Sequence, residues 1–418
     1  MLGDPVKRVV VIGGGVIGLC TAYHAAIRGH EITIIDRESE DHEGCSYGNA
    51  GMVVPSHFVP LAAPGMVALG LKWMWNPESP FYIKPRLDAD LLKWGFQFWK
   101  SANSRHVERA APLLRDLNFQ SRAAFEELSK VFDFGLTQRG LLMLCKTEHA
   151  LHEEGAMAEK ARELGVPAEA LDRDAVAKLD PDVQMDIAGA VYFPKDCHLA
   201  PGRFMSGLKS QLAKMGAKFQ WRTEVVSFGS VASRIQSVKT SAGEFAADEF
   251  VLAGGSWSSS LAKQLGLNLP MQAGKGYSLT LRNPRELPRI CAIFAEARMA
   301  ITPMGSSLRF GGTMEMAGLN ESINRRRVDG IIKAIPQYYP NFKPSDFADI
   351  KPWSGLRPCS PDGLPYVGRA RNVANLCVAT GHAMMGLSLG PITGTLCAEI
   401  ISSKSPRIDI SLLDPNRF

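Results

Sequence analysis

The sequence predicts an α/β protein in which a parallel, dinucleotide-binding sheet carries an antiparallel-leaning insert. Residues 7–36 form a complete strand–turn–helix–strand pattern around spaced glycines. A second strand–turn–helix pattern closes the chain over 376–401. Between them, strand and helix signals are mixed rather than segregated into blocks, as in α/β proteins.

In the first unit, Val9, Val10, Val11 and Ile12 run directly into Gly13-x-Gly15-x-x-Gly18. Gly13 allows a tight turn, Gly15 lets the backbone approach a pyrophosphate, and Gly18 lets helix and strand pack closely. The helix that begins at Val16 and Ile17 offers unpaired N–H groups and a partial positive charge to phosphates. An apolar run over 32–35 follows and ends on Asp36 and Arg37. Asp36 lies 18 residues after Gly18, close to the spacing of a carboxylate that holds a ribose hydroxyl. The glycine spacing alone is a weak signal; in this full context it assigns a dinucleotide site. Lys7 and Arg8 before an apolar run also fit a secretory signal peptide. That run holds four glycines and continues into a second strand, so it is expected to stay as the first strand of the sheet.

A chain of 418 residues is long enough for two domains with buried cores. Hydrophobic residues make up 45% and charged ones 21%, an ordinary globular composition. No stretch reaches the roughly 18 apolar residues that span a bilayer. The net charge of +5 is diffuse, so no nucleic-acid partner is expected. Arg325-Arg326-Arg327, beside Val328, Ile331, Ile332 and Ile335, reads as the solvated face of a helix. Eight scattered cysteines without CxxC pairs predict reduced thiols in a cytoplasmic compartment and no metal site.

Residues 65–100 concentrate aromatics: Trp73, Trp75, Trp94, Trp99, Phe81, Tyr82, Phe96 and Phe98. A pocket lid, a subunit contact, a peripheral membrane patch and a packed core all stay open for this segment. Helical spacing predicts a helix over 104–132, with Pro112 either kinking it or marking its start. Strand 141–145, helices 148–164 and 201–215, and a hairpin before the strand 250–253 follow. Strands near 277–281, 299–303 and 308–311 precede a helix near 322–338. In the last unit, strand 376–379 leads through Gly381, His382 and Gly386 to a helix expected from about Ser388. Its N-terminus offers donors to a second electron-rich group on a cofactor; in a flavoenzyme that group is the pyrimidine side of the ring. His382 is either part of that site or a satisfied loop histidine. Arg357, among the turn residues of WSGLRPCSPDG, is held where its planar fork suits a carboxylate or a structural ion pair.

Together these motifs resemble the D-amino-acid oxidase superfamily of FAD-dependent oxidoreductases, and within it the D-amino-acid dehydrogenase small-subunit branch. The tokens are Ser46-Tyr47-Gly48-Asn49-Ala50-Gly51, Gly254-Gly255-Ser256-Trp257, Gly274-Lys275-Gly276-Tyr277-Ser278-Leu279-Thr280, WSGLRPCSPDG and TGHAMMG. The resemblance implies a Rossmann-like, glutathione-reductase-type FAD domain from 1–55, 195–270 and 350–418. Into it is inserted an α+β substrate domain, 56–194 and 271–349, built on an antiparallel sheet. It implies flavin contacts at Ser46, Asn49, Ala50 and Gly51, and further cofactor contacts at Arg37, Met52, Gly254, Trp257, Gly381, His382, Met385, Gly386, Leu387 and Ser388. Val225 would hold the adenine through its backbone. Arg357 would bind a substrate carboxylate, Tyr277 would face the substrate, and His382 would complete the catalytic set. Gly355 stands where sarcosine-oxidase relatives attach flavin through cysteine, so the FAD is expected to be non-covalent. Met384 replaces a second arginine of glycine oxidases, which weakens that reading. Asp36 replaces the usual Glu, and His198 is open between a substrate-tuning and a surface role.

The implied activity is oxidation of a D-amino acid, D-proline and hydroxy-D-proline included, by hydride transfer from Cα to flavin N5. The alternatives are a flavoprotein subunit inactive without its partner, a glycine- or sarcosine-type oxidase, and an NAD-dependent protein that uses the first fingerprint alone. The expected partner is a small amino acid; the acceptor, quinone chain or oxygen, stays open. The expected location is the cytoplasm, with residues 65–100 as a contact to the inner face of the cell membrane or to a subunit.

Overall fold

The computed structural model describes residues 5–74 and 78–418; Trp75, one of the clustered aromatics, lies outside the described residues. Strand Arg8–Ile12 sits inside a six-stranded sheet of order 366–370, 373–380, 249–252, 8–12, 31–35, 218–220. Its neighbours all run parallel except the edge strand Tyr366–Ala370, which turns back on Val373–Thr380. A parallel sheet covered on both faces needs apolar residues at every strand position, and residues 9–12 supply them. Val9 and Val11 pack under helices Val16–Ile27, Pro201–Lys214 and Gly390–Ile401. Val10 and Ile12 pack against the antiparallel meander Val225–Val231, Arg234–Thr240 and Gly243–Ala246. The first and last helices cross closely: a Cβ on Gly394 would lie 2.5 Å from the Cys20 backbone. Glu249, buried at the other end of the sheet, binds Lys7 Nζ at 3.0 Å and the guanidinium of Arg369.

The second large sheet runs 353–359, 272–282, 307–316, 299–304, 291–294, 141–145, 189–193, 169–172, with Phe81–Ile83 beside Met314–Met316. It is antiparallel except where 291–294 meets 141–145 and where Phe81–Ile83 joins. One face, carrying Tyr277, Leu279, Ile301 and Phe310, lies under helix Arg325–Tyr338. The other face turns toward the nucleotide-binding part. There Ser278 Oγ donates to the Gly48 carbonyl at 3.3 Å, while Ile293 and Ala300 pack with Ala50, Met52 and Met385.

Several expectations are changed by packing. Strand Trp353–Cys359, placed by the sequence in the cofactor segment 350–418, is an edge strand of the second sheet, because the eleven-residue strand Gln272–Arg282 offers it a full ladder. Helix Ser104–Ser129 contains Pro112 and starts well before it, so Pro112 does not mark its start. The final helix begins at Gly390, not Ser388, after a 3-10 turn over Ala383–Met385. Arg325 and Arg326 are exposed but Arg327 is buried, because its guanidinium donates to the Ser79 carbonyl at 2.9 Å and covers the Tyr82 ring. His198 is buried too, in a two-residue ladder with Met52, which removes the surface role.

Beside that ladder, Asp196 is fully buried and accepts from Ser56 Oγ at 2.5 Å and Ser56 N–H at 3.1 Å. Burial pushes its carboxyl up to about 7. The folded state therefore holds a proton that the unfolded chain has released, from the ordinary Asp range up to about pH 7. Stability from this group falls as pH rises through that window and is flat above it. Asp196→Asn removes the term, so the variant gains stability relative to the parent between pH 5 and 8, measured by urea unfolding across that range.

Candidate functional site

A cleft of about 970 Å³ runs along the C-terminal ends of the parallel strands, where ligands of open α/β sheets bind. Its centre is the glycine turn. Gly13 has φ of +114°, and a Cβ there would lie 2.4 Å from the Ala253 carbonyl. Gly15 caps helix Val16–Ile27 without any side-chain cap, and Gly15, Val16 and Ile17 line the cleft. Val16 N–H donates to Ser46 Oγ at 3.0 Å, which ties the SxxNAG loop to the helix start. Gly18 stands behind the turn, packed on the Gly13 carbonyl. Asp36 accepts from Gly14 N–H at 2.6 Å and Glu38 N–H at 2.9 Å. Its carboxylate braces the turn and turns its remaining lone pairs to the cleft. Arg37 lies 3.8 Å over the Trp257 ring, and both line the wall with Val225 and Gly254.

Ser46 and Asn49 are in the wall. Ala50, Gly51 and Met52 are behind it: Asn49 Oδ1 accepts from Gly51 N–H at 2.8 Å, and Ala50 and Met52 pack toward the second sheet. At the far end, His382, Gly386 and Leu387 reach the cleft. Gly381, Met385 and Ser388 do not line it; Ser388 Oγ accepts from Val54 N–H and donates to Asn118 at 2.7 Å. The helix start is set back because Gly390 packs on Val16 and Cys20, so the 3-10 turn meets the cleft instead. His382 bonds Thr393 Oγ1 through Nε2 at 3.0 Å, while its buried Nδ1 has no partner among the described residues. Burial pushes its pKa down to about 3, so the ring is neutral at working pH.

These features fit a flavin dinucleotide: a helix start with a glycine N-cap, a carboxylate beside it, and a buried imidazole nitrogen without a partner among the described residues at the other end. Among the described residues no cluster is arranged to hold a metal. Wall residues outside the sequence reading include Gly14, Trp221 and Lys209. Trp221 stacks on Phe219 with Lys209 Nζ 4.9 Å from its ring centre, and it crowds Gly14. No local sequence signal places Trp221 there: strand Lys218–Gln220 pairs with Glu31–Ile35 across the chain, and Trp221 follows it beside the tip that carries Asp36.

Arg357 lies next to the cleft rather than in its wall. Its guanidinium rests where Gly276 has no side chain, 2.1 Å from the place of a Cβ, on the face that carries Ser278. Nη1 donates to the Thr313 carbonyl at 2.8 Å; no ion-pair partner is found for it among the described residues. Its charge is felt by Cys45, in the cleft wall, and by Cys359, which is bridged to His382. Tyr277 is the correction. Successive residues of a strand point to opposite faces, and Tyr277 takes the face under helix Arg325–Tyr338. It is 1% exposed there and its hydroxyl donates to Glu315 at 2.5 Å, so it faces away from Arg357.

The family described as FAD dependent oxidoreductase (DAO) matches residues 8–400. The chain is 31% identical over 422 residues to a D-amino acid dehydrogenase of Bradyrhizobium diazoefficiens, covering 98% of this chain and 99% of the relative. It is 31% identical over 423 residues to one from Vibrio atlanticus, covering 98% and 100%. The crystal structure of glycine oxidase from Geobacillus kaustophilus superposes with a TM-score of 0.78 at 25% identity, over 99% of each chain.

Asp36→Ala removes a charged acceptor worth about 1.5–3 kcal/mol, so FAD affinity should fall about 10- to 100-fold, read by titrating the apoprotein with FAD and following flavin fluorescence.

Proposed function

Because the chain belongs to the DAO family of FAD-dependent oxidoreductases, we propose that it dehydrogenates a D-amino acid to the imino acid. The observation that carries the reading is Arg357, a cation without an anionic partner among the described residues, held flat on Gly276 beside the cofactor cleft. Nη1 is committed to Thr313, and the rest of the fork is available to a carboxylate. FAD, when bound, accepts the hydrogen and electron pair that leave Cα. No side-chain base is required for this step in the proposal, and three groups near the site are poorly suited to be one. Burial pushes Cys45 up to about 11 and Cys359 up to about 12, and holds His382 near 3. The amine lone pair forms the C=N bond, so the substrate must arrive as the free amine, with its carboxylate fixed by Arg357. The similarity to D-amino acid dehydrogenases favours D-amino acids; D-proline and hydroxy-D-proline are within the proposal.

The test is anaerobic bleaching of the flavin by a panel of D- and L-amino acids, glycine, sarcosine and both prolines. D-substrates should bleach it, with kcat/KM rising with pH until the substrate amine is deprotonated. Arg357→Ala should lower kcat/KM about 100-fold or more, from roughly 3 kcal/mol of charge-assisted hydrogen bonding, with FAD retained. Bleaching by L-amino acids only, or full activity of Arg357→Ala, would end this reading.

For the acceptor, we propose that helix Ala89–Ser101 docks on an anionic bilayer surface. Leu92, Phe96 and Trp99 form one exposed stripe, 69%, 63% and 63% exposed, with the Phe96 and Trp99 rings 6.0 Å apart. Exposed Lys93 and Lys100 flank it, the pairing of apolar and cationic groups that interfacial helices use. Its inner face reaches the site: buried Trp94 donates to the Cys359 carbonyl at 2.9 Å. No helix of the described residues is long and apolar enough to cross a membrane, so contact would be peripheral. The holoenzyme should co-sediment with phosphatidylglycerol vesicles, and Phe96→Ser/Trp99→Ser should release it without loss of flavin bleaching. A self-associating protein that ignores vesicles and becomes monomeric in the double variant would assign the stripe to a second copy instead.

A further inference from the structure

Thr313 has φ of +68°, a conformation a β-branched residue holds only under constraint. The constraint lies where two strands slip past one another. Lys275 pairs with Glu315, but Tyr277 pairs with Gly312, so strand Ser307–Met316 carries one extra residue: a β-bulge at 313–314. Bulges re-aim groups next to active sites, and this one turns the Thr313 carbonyl to Arg357 Nη1 at 2.8 Å.

On the opposite face the slip is clamped. Glu315 accepts from the Tyr277 hydroxyl at 2.5 Å and lies 3.7 Å from Lys275 Nζ. Lys275 Nζ also donates to the Ser322 carbonyl at 2.7 Å, and Asn324 N–H donates to the Tyr277 oxygen at 3.3 Å. The residues on either side of the slip in one strand are thus both fastened to a single carboxylate in the other. All three are deeply buried: Lys275 and Tyr277 are 1% exposed and Glu315 is 5%. A buried ionic group of this kind is seldom a net source of stability, and its best-attested use is to specify register.

We propose that Glu315, Tyr277 and Lys275 are positioning residues: they hold the bulge in its strained form, so that the Thr313 carbonyl fixes one end of the Arg357 guanidinium and leaves the other aimed at a substrate carboxylate. The inference rests on the reading of Arg357 given above. It assigns Tyr277 a role through the sheet instead of contact with substrate.

The test measures acetate binding to the holoenzyme through perturbation of the flavin spectrum, alongside KM and kcat. Tyr277→Phe should weaken acetate about tenfold and raise KM by a similar factor, with kcat changed less and the FAD content unaltered. Glycine adopts positive φ without steric cost, so adding Thr313→Gly to Tyr277→Phe makes the bulge self-supporting and should restore acetate affinity. Glu315→Gln, which keeps an acceptor for Tyr277 but drops the charge facing Lys275, should also weaken acetate; it serves if Tyr277→Phe does not hold FAD. Unchanged acetate affinity in Tyr277→Phe or Glu315→Gln, or a loss that Thr313→Gly leaves in place, overturns the clamp. Arg357→Ala separates the two readings: if it abolishes acetate binding while the clamp variants do not, only the clamp fails. If it leaves acetate binding intact, the carboxylate role of Arg357 fails and the clamp with it.

Discussion

The close crossing of the first and last helices is the constraint on which the rest of the cleft depends. Gly390 and Gly394 let helix Gly390–Ile401 lie against Val16 and the Cys20 backbone, with no room for a side chain at Gly394. That contact brings two turns distant in sequence to the same end of one parallel sheet. The first presents Gly15 as the N-cap of a helix start, the second His382, Gly386 and Leu387. Dispersion contacts in so tight a crossing come from backbone atoms on both sides, so the geometry tolerates little adjustment. The same tightness sets the last helix back and leaves a 3-10 turn to face the cofactor.

Charge is distributed so that each end of the cleft has one task. At the nucleotide end, Asp36 is already engaged by two backbone N–H groups, which keeps a carboxylate tolerable beside a helix start and phosphates. At the other end, burial keeps His382, Cys45 and Cys359 neutral at working pH. The free cation there is Arg357, with a single backbone carbonyl as its hydrogen-bond partner among the described residues. Glu321 also lines the cleft and, with Arg357, acts on Cys45, so the proposed carboxylate site is a planar cation with an acidic neighbour rather than an isolated charge.

Strand Gln272–Arg282 serves both faces of the second sheet. Gly276 and Ser278 serve the cofactor-facing side, where missing side-chain volume admits Arg357 and a hydroxyl meets Gly48. Lys275 and Tyr277 serve the other side, where a buried network holds the bulge at Thr313. One strand thereby couples the core under helix Arg325–Tyr338 to Arg357.

The sequence by itself determined the glycine turn, the acid at the strand tip, the family, and the order of most helices and strands. Those features are local: they follow from backbone sterics over a few residues, or from a periodicity within one element. What only the tertiary structure decided is which side of each element faces the cleft. Alternation shows that Tyr277 and Ser278 point opposite ways, but not which of the two meets Arg357; that depends on helix Arg325–Tyr338 covering one face of the sheet. Arg327, read as solvated, is buried because Ser79 and Tyr82 arrive from a distant segment. Ser388 is turned inward to Asn118, and Trp221 joins the wall through a strand pairing made across the chain. Each is a long-range contact, and no short stretch of sequence carries the parity, the partner or the distance that makes it.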